Sequence, residues 1–528
     1  MYGSYTGGRY DRRQTQNWYA TQGSADADTL IDIPTLRARS RDLIRNAPIA
    51  AGAIHTVVAN AVGTGLALQP TPDITVLGWT EDQSITWSSM VGHEFNLWAE
   101  SINCDVTRTQ NFYQMQSLVM RAALESGDCF ALLPMKQLPG SIYKTRIQIV
   151  EADRIHTPNG ADGMLAVVPL TNTEGTVTRT PNGNKIFGGV EVDAYGAPVA
   201  YCILKQHPGA IGFGLSNLFE YDRVPAFGVQ TGRRNVIHVF DRIRPDQNRG
   251  VPYLAPVMEA IKQLDRYAEA ELMAAVITAA FTIFIKTDTG TQGFGQELGT
   301  PQPIQQDEIT LGNGKVVGLA PGEDVAFPNA MRPNAGFDPF VTSILRQVGV
   351  ALQLPFEILI KHFTSSYSAA RAALLEAWKF YRNRRAFLAT SFCQPVFEAW
   401  MDEAVSSGRI AAAGYFSDPM LRRAYLSCDW VGDAPGQIDP MKEVAAAQER
   451  VNLGVSNRKI ETMELTGRNW SDVHRQLTRE HEDRVAAGLE PAVTNAVASE
   501  MVTAPGVPPS PPPAPNTPAP PGKKGGKP

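Results

Sequence analysis

Nucleotide hydrolysis would need a glycine-rich loop whose amides cradle phosphate, closed by a lysine and a hydroxyl residue that holds magnesium. Gly312-Asn313-Gly314-Lys315 comes nearest, but it lacks both the spacing and the hydroxyl. A helical zinc site needs two histidines one turn apart with a glutamate beside the first. His93-Glu94 and His481-Glu482 each lack the second histidine, so each reads as a solvated or hydrogen-bonded pair. The Ser-x-x-Lys spacings at Ser141–Lys144 and Ser456–Lys459 stand without the SDN and KTG elements that make such spacing specific, and no GxSxG elbow occurs. Ser365 and Ser366, with His362 close by, could form a nucleophile and its base. The competing reading is a turn or helix N-cap, where serine hydroxyls accept from the free amides of the helix after Tyr367. No carboxylate pair stands out for a two-metal nuclease. The sequence reads as non-enzymatic, with no catalytic, cofactor-binding or metal-ligating residue.

At 528 residues the chain is too long for one compact core. Apolar residues make up 43% and charged residues 19%, as in proteins with a well-buried interior. A net charge of -5 gives no global cationic signature for tight nucleic-acid binding. It says little against a protein that merely surrounds DNA. Cys104, Cys129, Cys202, Cys393 and Cys428 form no CxxC pair, so reduced, mostly buried thiols are expected. Met1 to Ala20 lacks the apolar core of a signal peptide. Leu272 to Ile285 (LMAAVITAAFTIFI) is too short to cross a bilayer as a helix and reads as a buried core helix, with no membrane partner expected.

The elements that would position any site follow from periodicity and punctuation. Residues 1–33 read as loosely ordered, without period. A helix is predicted from Pro34 to about Val62, with Arg37, Arg39, Arg41 and Arg45 on a polar side, stopping at Gly63-Thr64-Gly65. Further helices are expected around Thr86 to Trp98 and from Phe112 to Ala123, the latter ended by Gly127-Asp128 ahead of a strand from Cys129 to Leu133. A β-rich middle begins with Ile147, Ile149 and Ile155. Val190 to Asp193 and Val199 to Leu204 flank Ala194-Tyr195-Gly196-Ala197 as a hairpin, and Val236 to Phe240 is another strand. A long helix is predicted from about Ala255 to Phe281, then short strands within residues 290–332. Helices follow from Phe340 to Leu352 and from Tyr367 to Val405, the second interrupted at Pro395, and helices continue to Gly488. From Pro508 the chain is polyproline-like. The fold class is α+β, helix-rich with a β-rich middle.

Several segments in order resemble the lambda-type phage portal proteins. Arg45-Asn46-Ala47-Pro48, Gly52 and Val62-Gly63-Thr64-Gly65 look like the family's opening pattern, and Asp193, Gly196, Pro198 and Tyr201 like its strand pair. His238-Val239-Phe240 followed by Arg244-Pro245-Asp246-Gln247-Asn248-Arg249-Gly250-Val251-Pro252 resembles its most specific block, with Asp246 where glycine is usual. Leu319 to Asp324, then Thr364-Ser365-Ser366-Tyr367-Ser368-Ala369-Ala370-Arg371, continue the likeness. Gly454, Ser456, Gly467, Glu480 and Gly488-Leu489 resemble the closing helical block. The match runs over about residues 45–489 and leaves out the first 30 and last 40 residues.

The resemblance implies a homododecameric ring with wing, stem, clip and crown regions at one capsid vertex of the virion, assembled in the host cytoplasm. It would be a conduit for viral double-stranded DNA during packaging and ejection. Implied partners are further copies of itself, the terminase large subunit, major capsid and scaffold proteins, and head-completion proteins; no cofactor is implied. On this basis 1–33 would be a flexible N-terminal segment, 34–251 a wing-like α+β region and 252–405 a stem, clip and channel region. Residues 406–490 would be a crown-like helical region and 491–528 a Pro-rich tail. A competing class is a hydrolase or nuclease of the head-assembly module with an unfamiliar site, and a third is a membrane-associated oligomer built on 272–285.

Two local readings stay open. Arg242, Arg244 and Arg249 suit bidentate pairing with carboxylates, either as an intrachain staple or as a bridge between subunits, while Gly250 permits a sharp turn and Pro252 presets the coming helix. On the helix after Tyr367, Leu374, Trp378, Tyr381, Leu388 and Phe392 share a stripe, and Arg371, Lys379, Arg382, Arg384 and Arg385 supply a basic surface. That helix is either a core helix with a solvated face or one whose apolar breadth meets an adjacent subunit. Dispersed basic residues suit a conduit, because many firm phosphate contacts would hold DNA too tightly to slide.

Overall fold

The computed structural model describes Gly8 and residues 13–20, 22–157, 183–210, 220–280, 284–287, 323–326, 336–363, 366–436, 439–468 and 470–489. The first element is a short helix, α1 (Ala25–Thr29), followed by α2 (Ile33–Asn46) and α3 (Pro48–Ala61). Two expectations are corrected here. Residues 1–33 are not loosely ordered throughout, because Ser24 caps α1 by accepting from the Ala27 amide at 3.2 Å. The single helix predicted from Pro34 breaks at Ala47, whose backbone is extended (φ -103°, ψ 112°). The residue before a proline is pushed out of the helical region, and Pro48 has no N–H to continue the ladder.

Strand β1 (Ala67–Pro70) and helices α4 (Ile74–Leu77), α5 (Glu81–Ala99) and α6 (Phe112–Ser126) follow. Reciprocal capping boxes open α5 (Thr80 with Gln83) and α6 (Asn111 with Gln114). Then come β2 (Asp128–Leu132), β3 (Gln148–Val150), β4 (Lys185–Phe187), β5 (Val190–Val192), β6 (Pro198–Leu204), β7 (Tyr221–Pro225) and β8 (Val236–Phe240). They form two antiparallel sheets, β3-β2-β8 and β4-β5-β6-β7. The hairpin read between β5 and β6 is present, its turn held by Asp193 Oδ1, which accepts from the amides of Tyr195 (2.8 Å) and Ala197 (2.9 Å).

A 3₁₀ turn, Ala255–Val257, leads into α7 (Met258–Ala280). Strand β9 (Phe284–Thr287) pairs antiparallel with β10 (Glu323–Ala326). Helices α8 (Phe337–Ala351), α9 (Phe356–Leu359) and α10 (Tyr367–Leu388) precede a π turn at Ala389–Cys393 and α11 (Gln394–Ser406). The interruption expected at Pro395 is therefore a widened turn just upstream, which gives the ring the room a regular helix denies it. The chain continues with α12 (Pro419–Tyr425), β11 (Cys428–Val431), α13 (Pro440–Asn452), α14 (Arg458–Thr466) and α15 (Trp470–Ala486). Strand β11 corrects the expectation of helices alone after residue 405: it pairs antiparallel with β1, with Ala67 opposite Val431.

The largest hydrophobic core runs from Leu43 to Leu426 and so draws on both sides of residues 251 and 405. At its centre Phe95 of α5 sits edge-on to Trp400 (5.1 Å between ring centroids), Phe112 and Phe397 (both 5.7 Å), joining α5, α6 and α11. A smaller core of Phe130, Val150, Val190, Val192, Tyr201 and Ile203 lies between the two sheets.

The buried core helix expected over Leu272 to Ile285 is not found. Leu272, Met273 and Val276 are 66%, 54% and 54% exposed on α7, and from Phe284 the segment is strand. No helix among the described residues is long and apolar enough to cross a membrane. Helices α13–α15 bury only Ala447 and Glu461 among their described side chains. The Pro-rich tail at 491–528 and most of residues 290–332 lie outside the described residues.

Candidate functional site

The arginines of the Arg244–Pro252 block converge on a carboxylate that local pattern reads only as the end of a helix. Asp128 opens β2 with no exposed surface. Its Oδ2 accepts from Arg249 Nε at 2.6 Å, and its Oδ1 accepts from Arg37 Nη2 at 2.7 Å and Arg249 Nη2 at 3.3 Å. The Gly250 amide donates to Oδ2 at 3.3 Å, and His238 Nε2 stands 3.4 Å from the same oxygen. Burial alone would raise the pKa of this carboxyl, but the Arg249 and Arg37 guanidiniums outweigh it and hold the group far below the usual carboxylate range. Burial lowers Arg37 to about 10 against the pull of Asp128. His238 is pushed down by burial despite its acidic neighbour, and its ring is stacked between Phe130 and Phe240, 4.2 Å from each. It is a neutral imidazole at pH 7.

Arg249 has five N–H donors and all five are used inside the chain. Beyond Asp128 it donates to the carbonyls of Ala152 (2.8 Å), Ile155 (3.0 Å) and Gly188. With 3% exposure it has nothing to offer a neighbouring subunit, so the bridging reading does not hold for Arg249. Arg37, read on a polar helix face, is likewise buried and also donates to the Ser126 carbonyl at 2.8 Å. The junction ties α2, β2, β8 and the loops flanking the β4–β7 sheet together.

The rest of the block folds around this point. Gln247 is buried: its Oε1 accepts from the amides of Ile243 (3.0 Å) and Arg244 (3.1 Å), and its Nε2 donates to the Arg249 carbonyl at 2.8 Å. Arg244 pairs with Asp28 of α1 at 2.6 Å. Asp246, standing where the family pattern has glycine, adopts φ 61°, a left-handed conformation that glycine takes freely and Asp tolerates. A Cβ on Gly250 would lie 1.9 Å from the Gly127 carbonyl oxygen, so two backbones touch where α6 ends. Pro252 is buried three residues before the 3₁₀ turn, its carbonyl accepting from the Ala255 amide at 3.0 Å; it starts a turn and does not enter the helix.

A second knot explains the Gly63-Thr64-Gly65 pattern. The Thr64 amide and hydroxyl both donate to Asp433, at 2.9 Å each, and a Cβ on Gly63 would strike that carboxylate. Arg385 donates to the carbonyls of Ala61 (3.0 Å), Asn60 (3.3 Å) and Asp433 (2.9 Å), closing the C-terminal end of α3 with a cation.

Of the Ser365–Arg371 segment, Ser365 lies outside the described residues. Ser366 occupies the N-cap position of α10 but makes no capping bond; its hydroxyl lies 3.4 Å from that of Ser368. Tyr367 is exposed, as is His362. Arg371 reaches Glu443 of α13 at 3.7 Å. The basic face of α10 is matched by carboxylates: Arg382 with Glu464 (4.0 Å), Arg384 with Asp241 (2.8 Å) and Lys379 with Glu376 (2.8 Å). Its apolar stripe is buried at Tyr381, Leu388 and Phe392 but open at Leu374.

The candidates for chemistry are dispersed. Glu94 accepts from Tyr143 at 2.9 Å and from Arg409. The Ser141 hydroxyl donates to the Tyr143 carbonyl at 2.8 Å and accepts from Arg146. Among the described residues no three of His, Cys, Asp and Glu converge to hold a metal ion. Sequence reasoning missed Asp128, Arg37 and His238 as one unit. The available signal was an acid set directly before the apolar run Cys129–Leu133.

The profile of the family described as phage portal protein, lambda family, matches residues 11–385. Portal protein B of Escherichia phage lambda is 27% identical over 523 residues, covering 94% of this chain and 93% of that protein. The portal protein of Escherichia phage N15 is 27% identical over 522 residues, with the same coverage of 94% and 93%. A solved chain from the neck of a native gene transfer agent particle computed with C12 symmetry is 13% identical, with 82% of this chain and 93% of that one covered and a TM-score of 0.42.

Proposed function

The chain belongs to the lambda family of phage portal proteins, and from that membership we propose that its copies close into a dodecameric ring at one capsid vertex. A portal protein is a structural component of the phage head and not an enzyme. The ring is the conduit for double-stranded DNA in packaging and ejection. It is also the platform on which the terminase large subunit, and later the head-completion proteins, dock. Capsid and scaffold proteins surround it during assembly in the host cytoplasm.

The observation that supports self-association best is apolar surface left without a partner. On α7, Leu272, Met273 and Val276 are exposed, and on α13, the turn that ends it and α15, Met441, Val444, Leu453 and Leu477 are 82%, 52%, 69% and 51% exposed. Exposed apolar side chains on helices are a common mark of an interaction site, and a heterologous contact repeated by rotation closes into a ring. In this reading 34–251 is wing-like, 252–405 supplies stem, clip and channel, 406–490 is crown-like, and the tail at 491–528 docks another virion protein. The regions 34–251 and 252–405 and the start of 406–490 share one core, which runs from Leu43 to Leu426. The matched charges on α10 agree with a passage that does not grip DNA.

Negative-stain imaging and native mass spectrometry of the purified chain test this. The parent should give perforated rings, and Leu272→Asp with Val276→Asp should give folded monomers of unchanged circular dichroism. A parent that stays monomeric under every assembly condition, or heads that fill with genome in its absence, would end the proposal.

A further inference from the structure

The loop that carries the family's most specific block is strapped down by the chain's own N-terminal helix. The Asn248 amide donates to Asp26 Oδ1 at 2.9 Å and the Asn248 side chain to Asp26 Oδ2 at 2.6 Å. Arg244 donates to Asp28 at 2.6 Å and to the Gly23 carbonyl at 3.2 Å. Leu30 lies over Gly188, whose carbonyl is one of the Arg249 acceptors. Only Ala25 and Asp26 of α1 are buried, so the strap adds little to either core. The outer pair, Arg244 with Asp28, is 47% and 34% exposed and open to screening.

The strapped loop is strained. Asp246 at φ 61° occupies a left-handed region that costs any side chain more than glycine, Asp less than most, and such residues persist where their surroundings hold them. Here the surroundings are Asp26, which fixes Asn248, and Asn248 in turn, whose side chain donates to the Asp246 carbonyl at 3.3 Å. Two residues on, the Gly250 amide bonds Asp128, and the Tyr253 amide bonds the Leu124 carbonyl at 2.9 Å; these contacts root the chain before α7.

We propose that Gly23–Leu30 is a detachable latch on this loop. Closed, its two carboxylates hold the Ile243–Gly250 loop in the strained form and brace the root of α7. Open, Asp246 leaves the left-handed region, Gly250 loses its register on Asp128, and the root of α7 loosens. A one-turn helix held by one ion pair and one carboxylate–asparagine contact belongs to the low-stability end of a fold, where local opening is cheap. The latch concerns the folded subunit itself, so it stands or falls apart from ring formation.

Amide hydrogen exchange of the full chain tests it, because the Asn248 amide is bonded directly to the latch. Asp26→Ala with Asp28→Ala should raise exchange at Asn248 and Gly250 about ten-fold, the size of a lost charge-assisted hydrogen bond, while β2 and β8 amides keep their rates. Adding Asp246→Gly, which removes the strain, should return most of the protection at Gly250. Unchanged exchange at Gly250 in the double variant overturns the proposal, as does failure of Asp246→Gly to restore it. Loss of protection across β2 and β8 overturns it too, since α1 would then be an inseparable part of the core.

Discussion

Replacing Asp128 by asparagine keeps the shape of the junction and removes its only carboxylate. Arg37 and Arg249, 5% and 3% exposed, are then left as two buried cations around a neutral amide. Removing one partner of a buried pair costs about 3–5 kcal/mol, and the loss here falls on two guanidiniums, with Asp153 acting on Arg37 from farther off. The backbone carbonyls that Arg249 also bonds soften the loss without supplying charge. In a domain of this size that is a drop on the order of 10 °C in the thermal transition that includes the α2–β2–β8 core, read by calorimetry and by exchange of the β2 amides. Taking out Asp128 and Arg249 together, as Asp128→Leu with Arg249→Met, should cost less than the two single losses added. The pH dependence has a definite sign. The folded carboxyl is held below its unfolded value, so its contribution is complete above about pH 3.9 and drains away as the pH falls further. Asp128→Asn should abolish that part of the acid sensitivity. A thermal midpoint within about 2 °C of the parent at neutral pH would refute the reasoning, because the arginines would then be held by hydrogen bonds alone.

Burial holds the His238 pKa below its ordinary value, so it favours the unfolded chain as pH falls below about 6.5; His238→Gln should flatten the stability slope below that pH, measured by urea midpoint. Gly250→Ala drives a methyl into the Gly127 carbonyl and should destabilise by about 3 kcal/mol or more, seen as insoluble or low-melting protein, whereas Gly52→Ala, in the helical backbone of α3 and with a Cβ that meets nothing, should not aggregate. Glu403 accepts from the amides of Lys144 (2.7 Å) and Thr145 (2.8 Å), so Glu403→Ala should cost about 1–3 kcal/mol by denaturant titration, with Glu403→Gln much milder. Burial pushes Cys104, Cys129 and Cys428 up to about 12 and Cys202 to about 11. All five free thiols should therefore stay unreactive toward a disulfide reagent until the chain is unfolded.

Local pattern carried the elements whose determinants are themselves local. The β5–β6 hairpin was legible because Asp193 and Gly196 make its turn within five residues, and α6 because its apolar face repeats and Gly127 stops it. The α2–α3 break was missed because the apolar period runs straight through Ala47-Pro48. Strand β11 was missed because four residues carry too little alternation and the partner, β1, lies some 360 positions earlier. Exposure on α7 was misread for a different reason. An apolar stretch shows that something covers it, not whether the cover comes from the same chain. The motif arginines were found, but Asp128 stands 121 positions from Arg249 and 91 from Arg37, and spacing along a chain says nothing about convergence across it.

The pairing of β1 with β11, and the bonds from Thr64 to Asp433 across 369 positions, bear on how the protein is made. At roughly 5–20 residues per second, a ribosome needs on the order of twenty seconds to over a minute between releasing the first partner and the second. Through that interval α5 and α6 wait with their aromatic faces uncovered, since Phe392, Phe397 and Trp400 also arrive late. The nascent chain thus carries a half-built interior until these residues emerge, and it is in that interval, and not after release, that aggregation competes with folding.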